Sequence, residues 1–277
     1  MLGATTSTYD SGLLEHLIAR FNEDHPELRV RTVIAGSGEA LELGRSGDVD
    51  LLLVHAPGAE ARFVAAGHAP RRSPVLFNGY VIAGPPADPA RIRGSASPSA
   101  AFETLARGEH GFVSRGDSSG THYREIAFWR EADVFADGAW YIESGQGQAT
   151  TLHVASERRA YVLTDAATLA MLSAVLDLDA LVEGHLSLRN VYSLLEPRAA
   201  LRPARAAVFA DWLRSGKGRR AIAEFRVRGG PDALFAPWPP DDAAPSGEAS
   251  TLEGDSLTDA DSARGSAARG SPAHHVG

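Results

Sequence analysis

The chain has 277 residues, 44% hydrophobic and 22% charged, with no cysteine and a formal charge of −8. This is the make-up of a soluble globular protein long enough for two modest domains or one large one. It excludes disulfides, thiolate metal sites and a cysteine nucleophile, and no apolar run reaches the roughly 18–20 residues of a membrane span. Seven acidic residues from Asp241 onward against Arg264 and Arg269 put that tail at −5, which leaves −3 for residues 1–240. Neither part carries the basic stripe of a nucleic-acid binder. The opening MLGATTSTYD runs directly into folded-looking sequence, so the protein either is cytosolic or has lost a secretion signal.

In chain order, Leu13, Leu14, Leu17, Ile18 and Phe21 recur at helical spacing behind the capping candidates Asp10 and Ser11. Residues Leu28–Gly36 alternate like a strand and stop at glycine. SGEALELGRSG reads as a short helix, VDLLLVHAP as a fully buried strand and GAEARFVAAG as a helix. This β-α-β-α series favours a parallel sheet flanked by helices. PVLFNGYVIAGP, Pro74–Pro85, is a long extended run, a crossing between two lobes. A second series follows, with helices in SPSAAFETLARG, SGTHYREIAFWREA, GQATTLHVASERR and DAATLAMLSA and strands in HGFVS and AYVLT. The apolar stripe of the second of these helices falls on Tyr123, Ile126, Ala127 and the stem of Arg130. LVEGHLSLRNVYSLLEP reads as extended chain returning to the first lobe, and two helices separated near Ser215–Gly216 close the body. The expected division is residues 1–82 plus 186–238 for lobe 1 and 83–185 for lobe 2. The remainder, 239–277, is too poor in apolar residues to offset its ordering entropy and reads as a disordered acidic tail, its His274–His275 pair inert.

Three turns share one composition. Thr5, Thr6, Ser7 and Thr8 precede the first helix, Ser37 sits between two glycines at the start of another, and Arg115, Asp117, Ser118, Ser119, Gly120 and Thr121 introduce a third. A tetrahedral dianion out of water needs many hydrogen-bond donors, and backbone N–H groups at helix starts, hydroxyls and one fixed cation supply them. In parallel α/β folds the turns at the carboxyl ends of strands carry the ligand. Each turn alone is an ordinary N-cap; three of them, two in one lobe and one with an arginine in the other, point to an anion held between lobes.

With these residues in view, TTSTYDSGLL, LLLVHAP and FVSRGDSSGTH, together with PVLFNGYVIAGP, WYIESGQGQATTLHVASERRAYVLTD and LVEGHLSLRNVYSLLEP, resemble the tungstate-binding periplasmic proteins of bacterial ABC transporters, the TupA family. The likeness spans nearly all of residues 3–236. It implies an α/β, two-lobed periplasmic-binding fold, each lobe a mainly parallel sheet flanked by helices, that closes on its ligand in a cleft and delivers it to a membrane permease. It places Thr6, Ser7, Thr8 and Ser37 as donors from lobe 1 and Arg115, Ser119, Gly120 and Thr121 from lobe 2. It implies an extracytoplasmic, monomeric binding protein with no cofactor and no protein-ligated metal. The Arg115-to-Ser119–Gly120–Thr121 spacing is also similar to phosphate-binding proteins of the same superfamily, so molybdate, sulfate and phosphate stand beside tungstate. Ala4 replaces a threonine common in relatives, and GQGQATTL replaces a glycine-rich version, leaving Thr150 and Thr151 open as contacts.

Tungstate and molybdate are fully deprotonated at neutral pH, whereas phosphate keeps a proton and rewards a carboxylate acceptor. Asp117 and Asp50 are the acceptor candidates; Asp117 can instead orient Arg115, and Asp50 can cap a turn. His55 reads as a packed strand-end histidine, and His122 either donates to the anion or faces solvent. Two other classes remain as rivals. One is a serine phosphoester hydrolase built on Ser119, His122 and Asp117, although no HExxH, Walker or GxSxG pattern accompanies it. The other is an anion-sensing regulatory domain, to which only the acidic tail lends weight.

Overall fold

The first half of the chain folds as three successive strand–helix units. β1 (Leu2–Thr5) runs into α1 (Thr6–Asp10) and α2 (Leu13–Asp24), β2 (Thr32–Ala35) into α3 (Ser37–Ser46), and β3 (Leu51–Val54) into α4 (Pro57–Ala65). β1 lies between its neighbours and parallel to both, with Ala4 opposite Ile34 and Leu53. Every residue of β1 and β3 is buried, as expected of parallel strands covered on both faces. This computed structural model describes residues 1–227 and 233–239.

α2 buries Leu13, Leu14, Leu17 and Phe21, the stripe its spacing dictates. Asp10 and Ser11 do not cap it. Gly12 does, at φ 80°, a left-handed turn that only glycine adopts without strain, and Ser11 instead closes α1. The strand expected over Leu28–Gly36 is confined to Thr32–Ala35. Leu28 and Val30 pack half-buried against the cluster around Phe21 and Phe209 rather than joining the ladder.

β4 (Arg72–Gly84) is the extended run expected from Pro74 to Pro85, and it joins two cores. Beyond it come α5 (Pro98–Arg107), β5 (Phe112–Ser114), α6 (Gly120–Glu131), β6 (Tyr141–Glu143), α7 (Gln148–Arg158), β7 (Val162–Asp165), α8 (Ala166–Leu172) and β8 (Asp179–Val182). The chain returns through β9 (Arg189–Leu195), α9 (Pro203–Arg214), α10 (Gly216–Glu224) and β10 (Ala236–Pro237). The first half of β4 pairs antiparallel with β9 and β10, the second half with β7 and β8. Val75 and Leu76 accordingly enter the core around Phe21, Tyr192 and Trp212, while Tyr80 and Ile82 enter the core around Phe102, Phe112 and Trp129. The expected lobe boundary at 82/83 falls inside β4. The one at 185/186 falls at a 3-10 turn, Leu186–Leu188. The single extended run expected from Leu181 to Pro197 is thus two strands, divided by Gly184 at φ 73° and by His185 capping that turn.

The buried face of α6 differs from its expected stripe. Thr121, Glu125, Phe128 and Trp129 face inward, and Tyr123 is 42% exposed. A carboxylate holds the central inward position because it has partners there, so hydrophobicity alone misplaces the stripe. The expected tail from residue 240 on, with His274–His275, lies outside the described residues. Among the described residues no helix is long and apolar enough to cross a membrane.

Candidate functional site

The helix starts that follow β1, β2 and β3 all stand at the carboxyl ends of parallel strands, where α/β sheets carry ligands. Ser7 and Thr8 are buried within α1 itself, so the hydroxyl-rich segment is helix rather than open turn. Thr8 Oγ1 donates back to Thr5 O at 2.8 Å. Ser7 Oγ meets Thr5 Oγ1 at 3.1 Å, Tyr192 OH at 3.0 Å and His55 Nε2 at 3.4 Å. Thr6 is half-buried beside it. Ser37 opens α3, buried, with His55 N 3.5 Å from its Oγ.

In the other half, β5 delivers Arg115 and α6 starts at Gly120. Arg115 is only 4% exposed. Nη2 donates to Asp117 Oδ2 and Nη1 to Gln148 Oε1 at 3.1 Å, whereas Nε is buried with no partner among the described residues. Burying a guanidinium is costly unless its donors are used. An oxygen at Nε would complete the set. Asp117 has both carboxylate oxygens engaged, Oδ1 accepting from Ser119 N at 3.1 Å. Of its two expected roles, orienting Arg115 is the one present. Ser119 caps α6 through its Oγ, which accepts from His122 N at 3.3 Å.

His55, at the end of β3, joins the two halves. A Cβ on Gly120 would stand 2.5 Å from His55 O and 2.9 Å from His55 Nδ1, so α6 meets the ring with backbone alone. The ring lies buried and stacked on Tyr192 at 4.7 Å. Burial pushes its pKa down to about 4, with the Arg115 charge adding to the effect, so it is neutral at pH 7. The Arg115 charge is also felt at Asp10, Tyr80 and Asp165, residues of both halves. The 5–8 and 115–121 segments therefore converge through His55.

The other candidates Asp50, His122 and Thr151 are engaged within the protein, Thr151 beside this cluster through Ser144, whose Oγ lies 2.8 Å from its hydroxyl and donates to Arg115 O. Asp50 accepts from Arg202 N at 2.8 Å, away from this cluster. Thr151 Oγ1 donates to Gly147 O at 3.0 Å within its own helix turn, and Thr150 is exposed. His122 Nδ1 accepts from Ser118 N at 3.0 Å, so that nitrogen does not reach Ser119 Oγ as a base. Sequence reasoning missed Gln148, Tyr80, Asn78, Asn190, Tyr192 and Asp165. A signal existed for four of them: FNGY and RNVY each carry Asn-x-Tyr, which a strand turns to one face.

Glu125 was missed as well. Its Oε1 accepts from Tyr141 OH at 2.8 Å and Trp129 Nε1 at 3.2 Å. Burial pushes this carboxyl up to about 7, from 4.5, despite those bonds and others from Ser114 and the Arg115 backbone. Below pH 4.5 both folded and unfolded chains hold the proton. Between 4.5 and 7 only the unfolded chain releases it, so stability falls with rising pH by at most about 1.4 kcal/mol per unit and then levels. Urea midpoints from pH 5 to 8 are expected to show this decline, and Glu125→Gln to flatten it. An unchanged slope in that variant removes Glu125 as the source.

The fold is that of the periplasmic-binding-protein class, two lobes with the candidate site where strand ends face one another. A family profile described as a PBP superfamily domain matches residues 1–217. The tungstate-binding protein TupA of Peptoclostridium acidaminophilum is 34% identical over 243 residues, 86% of this chain and 85% of that one. The tungstate ABC transporter structure from Geobacter sulfurreducens is 38% identical with a TM-score of 0.75, covering 81% of this chain and 97% of that one. TupA from Desulfovibrio alaskensis G20 gives 37% and 0.73, covering 86% and 97%. The chain belongs to the TupA family of the PBP superfamily.

Proposed function

We propose that this protein captures a tetrahedral oxyanion, tungstate foremost, outside the cytoplasm and hands it to the permease of an ABC transporter. It acts as a monomer without cofactor, and it binds rather than catalyses. The lobes are residues 1–82 plus 186–238 and 83–185. Thr6, Ser7 and Ser37 offer donors from the first, with Thr8 tying the α1 turn to Thr5. Arg115, Ser119, Gly120 and Thr121 offer donors from the second, the last two through the start of α6 and its unpaired N–H groups. The observation that carries this reading is the buried Nε of Arg115, without an acceptor among the described residues, beside a helix start that is pressed against His55.

Charge state supports tungstate or molybdate over phosphate. Asp117 pairs with Arg115 and buried Asp165 feels its charge, and the oxygens of both already accept protein donors. A hydrogenphosphate would find neither of these two carboxylates free to take its proton. The hydrolase alternative lacks a base on Ser119, since His122 offers that oxygen its backbone N–H. A thermal-shift series tests the reading. Tungstate and molybdate are expected to raise the melting temperature, each worth about 2.7 kcal/mol at a hundredfold excess over Kd, with phosphate giving little. A series in which no oxyanion shifts the transition refutes it.

A further inference from the structure

A hydrogen-bond relay of fixed polarity runs beneath Ser7. It begins at Asp165 Oδ1, which accepts from Thr168 N at 2.9 Å and stays an acceptor toward Asn78 with any carboxyl proton on Oδ2, 2.7 Å from the Thr168 hydroxyl. Asn78, 3.3 Å from that oxygen, must turn its Nδ2 toward it, which sends its Oδ1 toward Asn190. Asn190 Nδ2 donates one hydrogen there at 2.8 Å and the other to Tyr192 OH at 3.1 Å. Its Oδ1 is left facing His55 Nδ1 at 3.0 Å, so the neutral ring carries its proton on Nδ1 and a lone pair on Nε2. Tyr192, already accepting from Asn190, has Ser7 Oγ at 3.0 Å to receive its own hydrogen. Thr5 Oγ1 borders Ser7 at 3.1 Å. The Ser7 proton is then the one left to give, toward Thr5 Oγ1, toward His55 Nε2 at 3.4 Å or toward an oxygen entering the site. Asp165, Asn78, Asn190, Tyr192 and Ser7 are each at most 2% exposed, so bulk water has little access to reset the order.

We propose that Asn190 and Tyr192 are positioning residues that lock Ser7 as a donor and thereby select oxyanions bearing no proton over those bearing one. A free serine hydroxyl rotates and accepts as readily as it donates, so it tolerates either kind of anion. Once Tyr192 fills one of its lone pairs, Ser7 turns its hydrogen toward a bare anion oxygen and has one acceptor site fewer for the hydroxyl of a hydrogenphosphate, which biases the site toward anions without a proton. This rests on the reading above that Ser7 touches the anion.

The test uses the full chain. Tungstate and phosphate affinities are measured by calorimetry, phosphate in competition with tungstate, for the parent, Ser7→Ala and Tyr192→Phe. Nitrogen-15 NMR of the parent reads the His55 tautomer. Tyr192→Phe is expected to lower the tungstate-to-phosphate ratio about tenfold, Ser7→Ala to weaken tungstate directly, and His55 to carry its proton on Nδ1. A merely structural role for Tyr192 would weaken both anions alike and leave the ratio unmoved, which overturns the relay. Ser7→Ala with unchanged tungstate affinity overturns the contact itself and the selection with it. A proton found on Nε2 overturns the relay in the unaltered protein, even if Tyr192→Phe does not fold.

Discussion

Arg115→Ala is expected to weaken tungstate binding by roughly 2–5 kcal/mol, about thirtyfold to several thousandfold. The guanidinium is almost fully buried and already tethered by Asp117 and Gln148. Its rotamer is thus set before any anion arrives, and little ordering cost offsets the interaction. Truncation also leaves Asp117 and Gln148 Oε1 without their cationic donor. Arg115→Lys is not expected to restore affinity, because one ammonium lacks the planar fork that serves Asp117, Gln148 and a third acceptor together. Titration calorimetry with tungstate decides it: an Arg115→Ala protein that binds as tightly as the parent removes this residue from the site.

Gly120→Ala is the second large effect. The added methyl would stand 2.5 Å from a carbonyl oxygen and 2.9 Å from a ring nitrogen of His55. The carbonyl belongs to the end of β3 and the ring is packed on Tyr192, so neither neighbour moves freely. α6 must instead back away, at a cost of about 1–3 kcal/mol by the usual penalty for overpacking. The contact is part of the fold itself, so ligand-free stability should fall by that amount, and tungstate affinity, which needs the α6 start in place, by roughly five- to 150-fold. Calorimetry paired with urea unfolding separates the two quantities. A loss of stability with unchanged affinity would mean that the glycine serves packing alone.

Much of the fold is written in local pattern. The strand–helix alternation of the first 65 residues follows from period and glycine placement, and the long β4 follows from two apolar runs, VLF and YVIA, joined across Asn78–Gly79. Arg115 and Asp117 were legible because a charged pair at a strand end, followed by small polar residues, has few other uses. Gln148 was not. Its neighbours GQGQ suggest only a turn, and its role depends on Arg115, 33 residues earlier, lying within 3.1 Å. Glu125 was hidden for the opposite reason: a carboxylate on an inward helix face contradicts the pattern that locates such faces, and only Tyr141 and Trp129 make it tolerable. The caps expected at Asp10 and Ser11 gave way to Gly12 because the residue before α2 takes a left-handed conformation, which favours glycine. The two Asn-x-Tyr motifs were visible, yet their meaning needs the register that sets Asn78 opposite Asn190, 112 residues away.

That register gives β4 an unusual intolerance to changes in length. The strand shifts register between Pro74 and Leu76 against β9, and between Ile82 and Ala83 against β8, with an even stretch in between. Adding or deleting one residue inside this stretch would rotate either the asparagine or the tyrosine to the far side of the sheet. Loops elsewhere in the chain can lengthen at little cost. Here the strand works as a ruler, and lineages or designers that resize this protein must leave its graduations alone.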